Sequence, residues 1–231
     1  PVHVIGLALL LVSAVLLPLE VPVRGSVLTA PFLLAAALFG GWLLRLIAPG
    51  RRAAPDGSRA AAAAAAFGAI AIVAFVVGQY PWFPVGHAPI SAQVGGLGLF
   101  LLSSGMFLTV GHRVTSIRQL RALTWLFVAT GALAVAASFG ALVDVTVGPV
   151  VLTSSASLGS AFWTWLVAAA AGQALFNRDL SGPARVLAGG IAALALARRL
   201  VVAFSWVSGW LPPAVAVAIL LLIRFPRTTT A

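Results

Sequence analysis

Cysteine and lysine are both absent from the chain, and acidic side chains number only four. Without cysteine there is neither a disulfide frame nor a thiolate metal site. Without lysine, every one of the fourteen basic residues is an arginine. Soluble-enzyme signatures are missing as well. The sequence holds no GxxxxGK[ST] phosphate loop, no HExxH, no CxxC and no dinucleotide fingerprint in a strand–helix setting. GGLGLF (95–100) lies in an apolar run, where its glycines serve packing. The three histidines, His3, His87 and His112, fall on both faces of the expected fold, so no metal and no cofactor is expected.

What is there is apolar. Of 231 residues 61% are hydrophobic and 8% charged, against roughly 45–50% and about 25% in a soluble domain. So few charges cannot keep so apolar a chain in water. The sequence predicts an all-α fold, a polytopic transmembrane helix bundle of about eight spans in a single domain over 1–231. The spans are expected at about 4–19, 26–47, 60–79, 91–111, 122–143, 160–176, 186–204 and 211–223, each near the 20 residues a bilayer demands. The first lacks a basic n-region and a small-x-small cleavage site, so it reads as a retained helix. Between spans, Glu20, Pro22 and Arg24 mark a polar loop, and PGRRAAPDGSR (49–59) is a loop by its Pro, Gly and Asp. Ser116 and Gln119 have capping-box spacing, which predicts a short surface helix ahead of the fifth span. The chain starts on Pro1 and stops at RFPRTTTA; it is expected to be part of a longer protein.

The net charge of +10 invites a nucleic-acid reading, but topology accounts for it better, and no nucleic-acid partner is expected. In an eight-helix arrangement Arg45, Arg51, Arg52, Arg59, Arg113, Arg118, Arg121, Arg178, Arg185, Arg224 and Arg227 share one side. The other side holds Arg24 with Glu20, Asp144 and His87. By the positive-inside rule the N-terminus is cytoplasmic.

Two arginines do not fit that scheme. Arg198 and Arg199 fall within the seventh span, in its outer half, where each charge costs about 2.5–3.5 kcal/mol by insertion scales. One reading is structural: the pair snorkels to the interface or neutralises Asp144 or Glu20. The other is functional: guanidiniums stay charged and offer forked donors, which suits a phosphate or pyrophosphate. Ser208, Trp210, Asp144 and His87 are further candidate polar contributors at the outer face. His87, within YPWFPVGHAP (80–89), is read first as part of an interfacial aromatic belt.

The segment TSIRQLRALTWLFVATGALAVAASFG (115–140) and the region from Arg185 to Arg227 resemble, over about a third of the chain, the O-antigen ligase/polymerase family of bacterial membrane glycosyltransferases. The first is like the family's basic connector and Gly/Ala-rich helix, the second like its central helical hairpin. The resemblance implies a metal-independent membrane enzyme of polysaccharide biosynthesis in the bacterial inner membrane. It would transfer or polymerise glycan from an undecaprenyl-pyrophosphate carrier at the outer face, with Arg198 or Arg199 holding the pyrophosphate. Two family features are missing: Ser208-Gly209-Trp210 stands where members have Ser-Arg-Gly, and the later outer loop with its histidine lies beyond this chain. A multi-pass transporter or lipid carrier, or a non-catalytic membrane scaffold, is the alternative. The bilayer is the partner common to all of them.

Overall fold

The computed structural model describes residues 2–16, 20–23, 26–47, 58–80, 89–140, 159–202, 204 and 206–226. Among them are eight helices and one short hairpin: α1 (Val2–Leu16), β1 (Glu20–Val23), β2 (Ser26–Thr29), α2 (Ala30–Ile47), α3 (Arg59–Val77), α4 (Ile90–Arg113), α5 (Ile117–Gly140), α6 (Ser160–Phe176), α7 (Gly182–Val202) and α8 (Val207–Arg224). Four stretches, Arg59–Val77, Ile90–Arg113, Ile117–Phe139 and Val207–Arg224, are long and apolar enough to cross a membrane. Val4–Val15, Ala30–Leu46 and Ser160–Phe176 are apolar but shorter.

Three boundaries differ from the sequence reading. The expected loop around Glu20 and the start of the second span form an antiparallel hairpin, with Glu20 opposite Thr29 and Val23 opposite Ser26. EVPV and SVLT are rich in β-branched residues, which suit a pleated pair better than a helix start. Helix α2 therefore begins at Ala30, with Pro31 in its first turn, where a missing N–H costs no hydrogen bond. Secondly, the short surface helix is not separate, because α5 runs unbroken from Ile117 to Gly140. Its opening IRQLRAL consists mostly of strong helix formers, so nothing interrupts it. The capping box is only half made. Ser116 Oγ accepts from the Arg118 N–H at 3.3 Å, while Gln119 Oε1 is buried without a partner. Thirdly, α8 starts at Val207, four residues before the expected eighth span, and carries Pro212 and Pro213 inside it.

The chain divides into two compact units, 1–13 with 19–121 and 14–18 with 122–231. In the first, small residues set the helix contacts. Gly105 of α4 lies beneath the Phe39 ring of α2, and Gly68 of α3 faces Ser104 of α4. By contrast, Gly95 and Gly96 face open space. Ser58 caps α3 by accepting from the Ala61 N–H at 3.1 Å, and Gln79 Nε2 donates to Gln93 Oε1 at 2.6 Å between the α3 and α4 ends. Ser103, Ser104 and Thr109 turn their hydroxyls back to the carbonyls of Leu99, Phe100 and Gly105, so none of these bonds ties neighbouring helices.

In the second unit α6 is central. Its Trp163, Leu166, Val167 and Ala170 are buried against Val128 and Val135 of α5 and Ala192 and Ala195 of α7. Outward positions are apolar, as at Val186 and Val201, each 76% exposed. An apolar exterior over an apolar core belongs in lipid, not water.

Candidate functional site

Helix α7 buries a stripe of alanines, Ala188, Ala192 and Ala195, spaced by four and three residues along one face. Continuing that spacing reaches Arg198 and Arg199. The alanines allow close approach to α6, and the two arginines inherit the same inward face. Arg198 is 9% exposed and Arg199 7%. Neither snorkels outward, although the end of α7 at Val202 is only about 6 Å further along the axis at 1.5 Å per residue.

Arg199 is anchored by three groups. Its Nε donates to the Gly209 carbonyl at 3.1 Å. Its guanidinium carbon stands 5.6 Å from the Trp163 ring centroid and 6.0 Å from that of Trp206, within cation–π range. The Gly209 carbonyl has a reason to be available. Four residues on is Pro213, which has no N–H to close the helical bond. Arg199 supplies the donor that Pro213 lacks.

Two donors remain. Arg198 Nε and Arg199 Nη2 are buried with no hydrogen-bond partner. Among the described residues no carboxylate meets either guanidinium; Asp179 lies on the turn before α7, at the opposite end of that helix. The structural reading of the pair as an ion pair with Asp144 or Glu20 cannot be placed, because Asp144 and the Glu20 side chain lie outside the described residues. A buried guanidinium with open donors costs several kcal/mol unless an anion answers it.

Of the other candidates, Ser208 and Trp210 sit in the first turn of α8 on either side of Gly209, so the fold brings them beside Arg199's anchor. Ser208 is exposed. Trp210 stacks on Phe204, with centroids 6.2 Å apart and planes 9° apart, and its Nε1 donates to the Phe204 carbonyl at 3.3 Å. It closes the α7–α8 turn. His87 lies outside the described residues. Phe204 and Trp206, both exposed, form with Trp210 an aromatic collar of the kind found at a membrane–water interface. Trp163 falls within the expected sixth span, and nothing in the sequence marks it as a wall for Arg199. The Gly209–Pro213 spacing was a usable signal, since a proline inside a helix always frees the carbonyl four residues before it.

Among the described residues no three metal-ligating side chains come together. The arrangement can bind an anion through arginine, and no histidine or carboxylate among the described residues contacts the pair. No family model, curated protein or solved structure matches this chain.

Proposed function

We propose that this is a polytopic membrane protein whose α7–α8 hairpin grips the phosphate of a lipid-linked substrate. In the more specific form, it is of O-antigen ligase/polymerase type, moving glycan from an undecaprenyl-pyrophosphate carrier at the outer face of a bacterial inner membrane. The observation that carries the reading is the pair of buried, unanswered donors on Arg198 and Arg199. Eight spans with a cytoplasmic N-terminus put eleven arginines inside and this pair near the outer aromatic collar, at the depth of a lipid pyrophosphate. When an acceptor oxygen attacks the anomeric carbon, the bond to pyrophosphate breaks and the leaving group gains a negative charge. Preorganised guanidiniums stabilise that charge more in the transition state than in the ground state. The proton from the acceptor must go to a base that none of the described residues near the pair supplies, which fits a site completed elsewhere in the protein.

The test is glycan transfer by the intact protein with Arg198→Ala and Arg199→Ala, singly and together, at verified expression. Loss of transfer supports the reading, and transfer at the parental rate removes it. A scaffold reading draws on one observation, the bond from Arg199 to the Gly209 carbonyl, which ties α7 to α8 with no ligand present. Under that reading Arg199→Ala lowers stability and Arg198→Ala changes nothing. A transporter would show substrate uptake in proteoliposomes without any glycan transfer.

A further inference from the structure

Beside the arginine pair stands an aromatic face that the grip on a phosphate does not use. Trp206 is the N-cap residue of α8, seven residues beyond Arg199 and past the end of α7 at Val202. Its carbonyl accepts from the Gly209 N–H at 2.8 Å, and the Gly209 carbonyl accepts from Arg199 Nε at 3.1 Å. Both residues are tied to one glycine, which keeps the Trp206 ring next to the guanidinium, its centroid 6.0 Å from Arg199 Cζ. That contact leaves much of the indole uncovered, since Trp206 is 57% exposed. Trp163, the other ring that Arg199 meets, is buried. One ring is packing and the other is open to an arriving ligand.

An open aromatic face takes C–H groups, because its π-cloud is negative and aliphatic hydrogens are weakly positive. A pyrophosphate-linked glycolipid offers two such groups, the prenyl chain on one phosphate and the sugar on the other. Position decides between them. In the proposed eight-span arrangement the α7–α8 turn lies at the membrane boundary, with Trp206 on the water side of Arg198 and Arg199. A prenyl chain runs the other way, into the bilayer. A pyranose carries hydroxyls around its rim and C–H groups on its face, so it can stack on an indole while its rim stays wet. The first sugar is bonded directly to a phosphate, which puts its ring within reach of a side chain that neighbours the phosphate's arginine. We infer that Trp206 is the platform on which the first sugar of the lipid-linked substrate stacks, so that the hairpin distinguishes a loaded carrier from a bare one. The inference rests on the reading of Arg198 and Arg199 as a phosphate grip and adds a selectivity determinant to it.

The test compares two probes on the intact protein in nanodiscs, undecaprenyl pyrophosphate and the same carrier bearing one N-acetylglucosamine. Affinities are measured for the parental protein, Trp206→Leu, Trp206→Phe, Arg198→Gln and Trp165→Leu. Trp165 is exposed on α6 and lies outside the hairpin, so its loss controls for removal of a membrane-facing aromatic. The parental protein should prefer the sugar-bearing probe. Trp206→Leu should lower affinity for that probe about fivefold and leave the bare carrier unchanged, the size of one stacked aromatic contact. Trp206→Phe should keep the preference, Trp165→Leu should alter neither affinity, and Arg198→Gln should weaken both probes alike. An equal loss of both probes in Trp206→Leu would make the ring a support for Arg199, and no loss would leave it an interfacial anchor. Either result overturns the platform, as does an equal effect of Trp165→Leu. If Arg198→Gln spares both probes while Trp206→Leu weakens only the sugar-bearing one, the phosphate grip fails and the sugar contact stands.

Discussion

Arg198 and Arg199 are neighbours in sequence with different work. Arg199 answers the carbonyl that Pro213 leaves open, so its loss should depend on that proline. Pro213→Ala restores the N–H, and Arg199→Gln should then cost less than in the parental chain. A double-mutant cycle read by thermal unfolding in detergent should give a coupling of about 1 kcal/mol; additive effects would disprove the tie. Arg198 makes no hydrogen bond among the described residues and leaves Nε buried and open. Replacing an unpaired buried charge with an apolar side chain of similar length relieves desolvation. Arg198→Met should therefore raise the melting temperature of the ligand-free protein and, under the proposed function, abolish glycan transfer, the pattern of a residue kept for function against stability. A lower melting temperature would mean that Arg198 holds the fold together. The sequence made this pair legible because two charges in an apolar run are conspicuous. It did not reveal their division of labour, which depends on a carbonyl ten residues away whose helical bond is lost at Pro213.

Among the elements, α6 shows how closely these helices are fitted. A Cβ at Gly131 of α5 would collide with the Leu166 side chain, which is fully buried. Gly131→Val should destabilise by about 1–3 kcal/mol through overpacking, and Leu166→Ala should recover part of the loss. Unfolding monitored by tryptophan fluorescence would check both, and an undiminished midpoint in Gly131→Val would show that α5 can move away. The helices themselves were readable from hydropathy, since each expected span overlaps one helix. Their ends were less so. EVPV and SVLT are short, and pairing between strands leaves little mark on composition. The α5 start merged with its span because Arg, Gln and Leu favour helix whether lipid or water surrounds them. Pro212 and Pro213, at the start of the expected eighth span, lie inside α8, where an arginine from α7 meets one of the freed carbonyls.

For the molecule as a whole, the absence of cysteine is an experimental advantage, because single cysteines can be introduced with no background thiol. Under the proposed topology, eight spans with the N-terminus inside, cysteines at Ser116 and Ser181 should react with a membrane-impermeant maleimide only after the cells are opened. A cysteine at Ser208 should react in intact cells. The opposite pattern would invert the topology and put Arg198 and Arg199 on the cytoplasmic side. Composition made the membrane environment plain before any coordinate, since 8% charged residues cannot solvate this surface. Composition could not reveal what surrounds Arg198 and Arg199, because that depends on how α7 meets α6 and α8.

The most direct measurement of the central claim is the affinity of the purified intact protein in nanodiscs for undecaprenyl pyrophosphate, parental against Arg198→Gln. Arg198 anchors no other described group, so this variant should fold normally, and its affinity should drop by about tenfold or more as a charge-assisted phosphate contact is lost. Equal affinity in the two proteins, with folding intact in both, would contradict the assignment of this arginine to a phosphate.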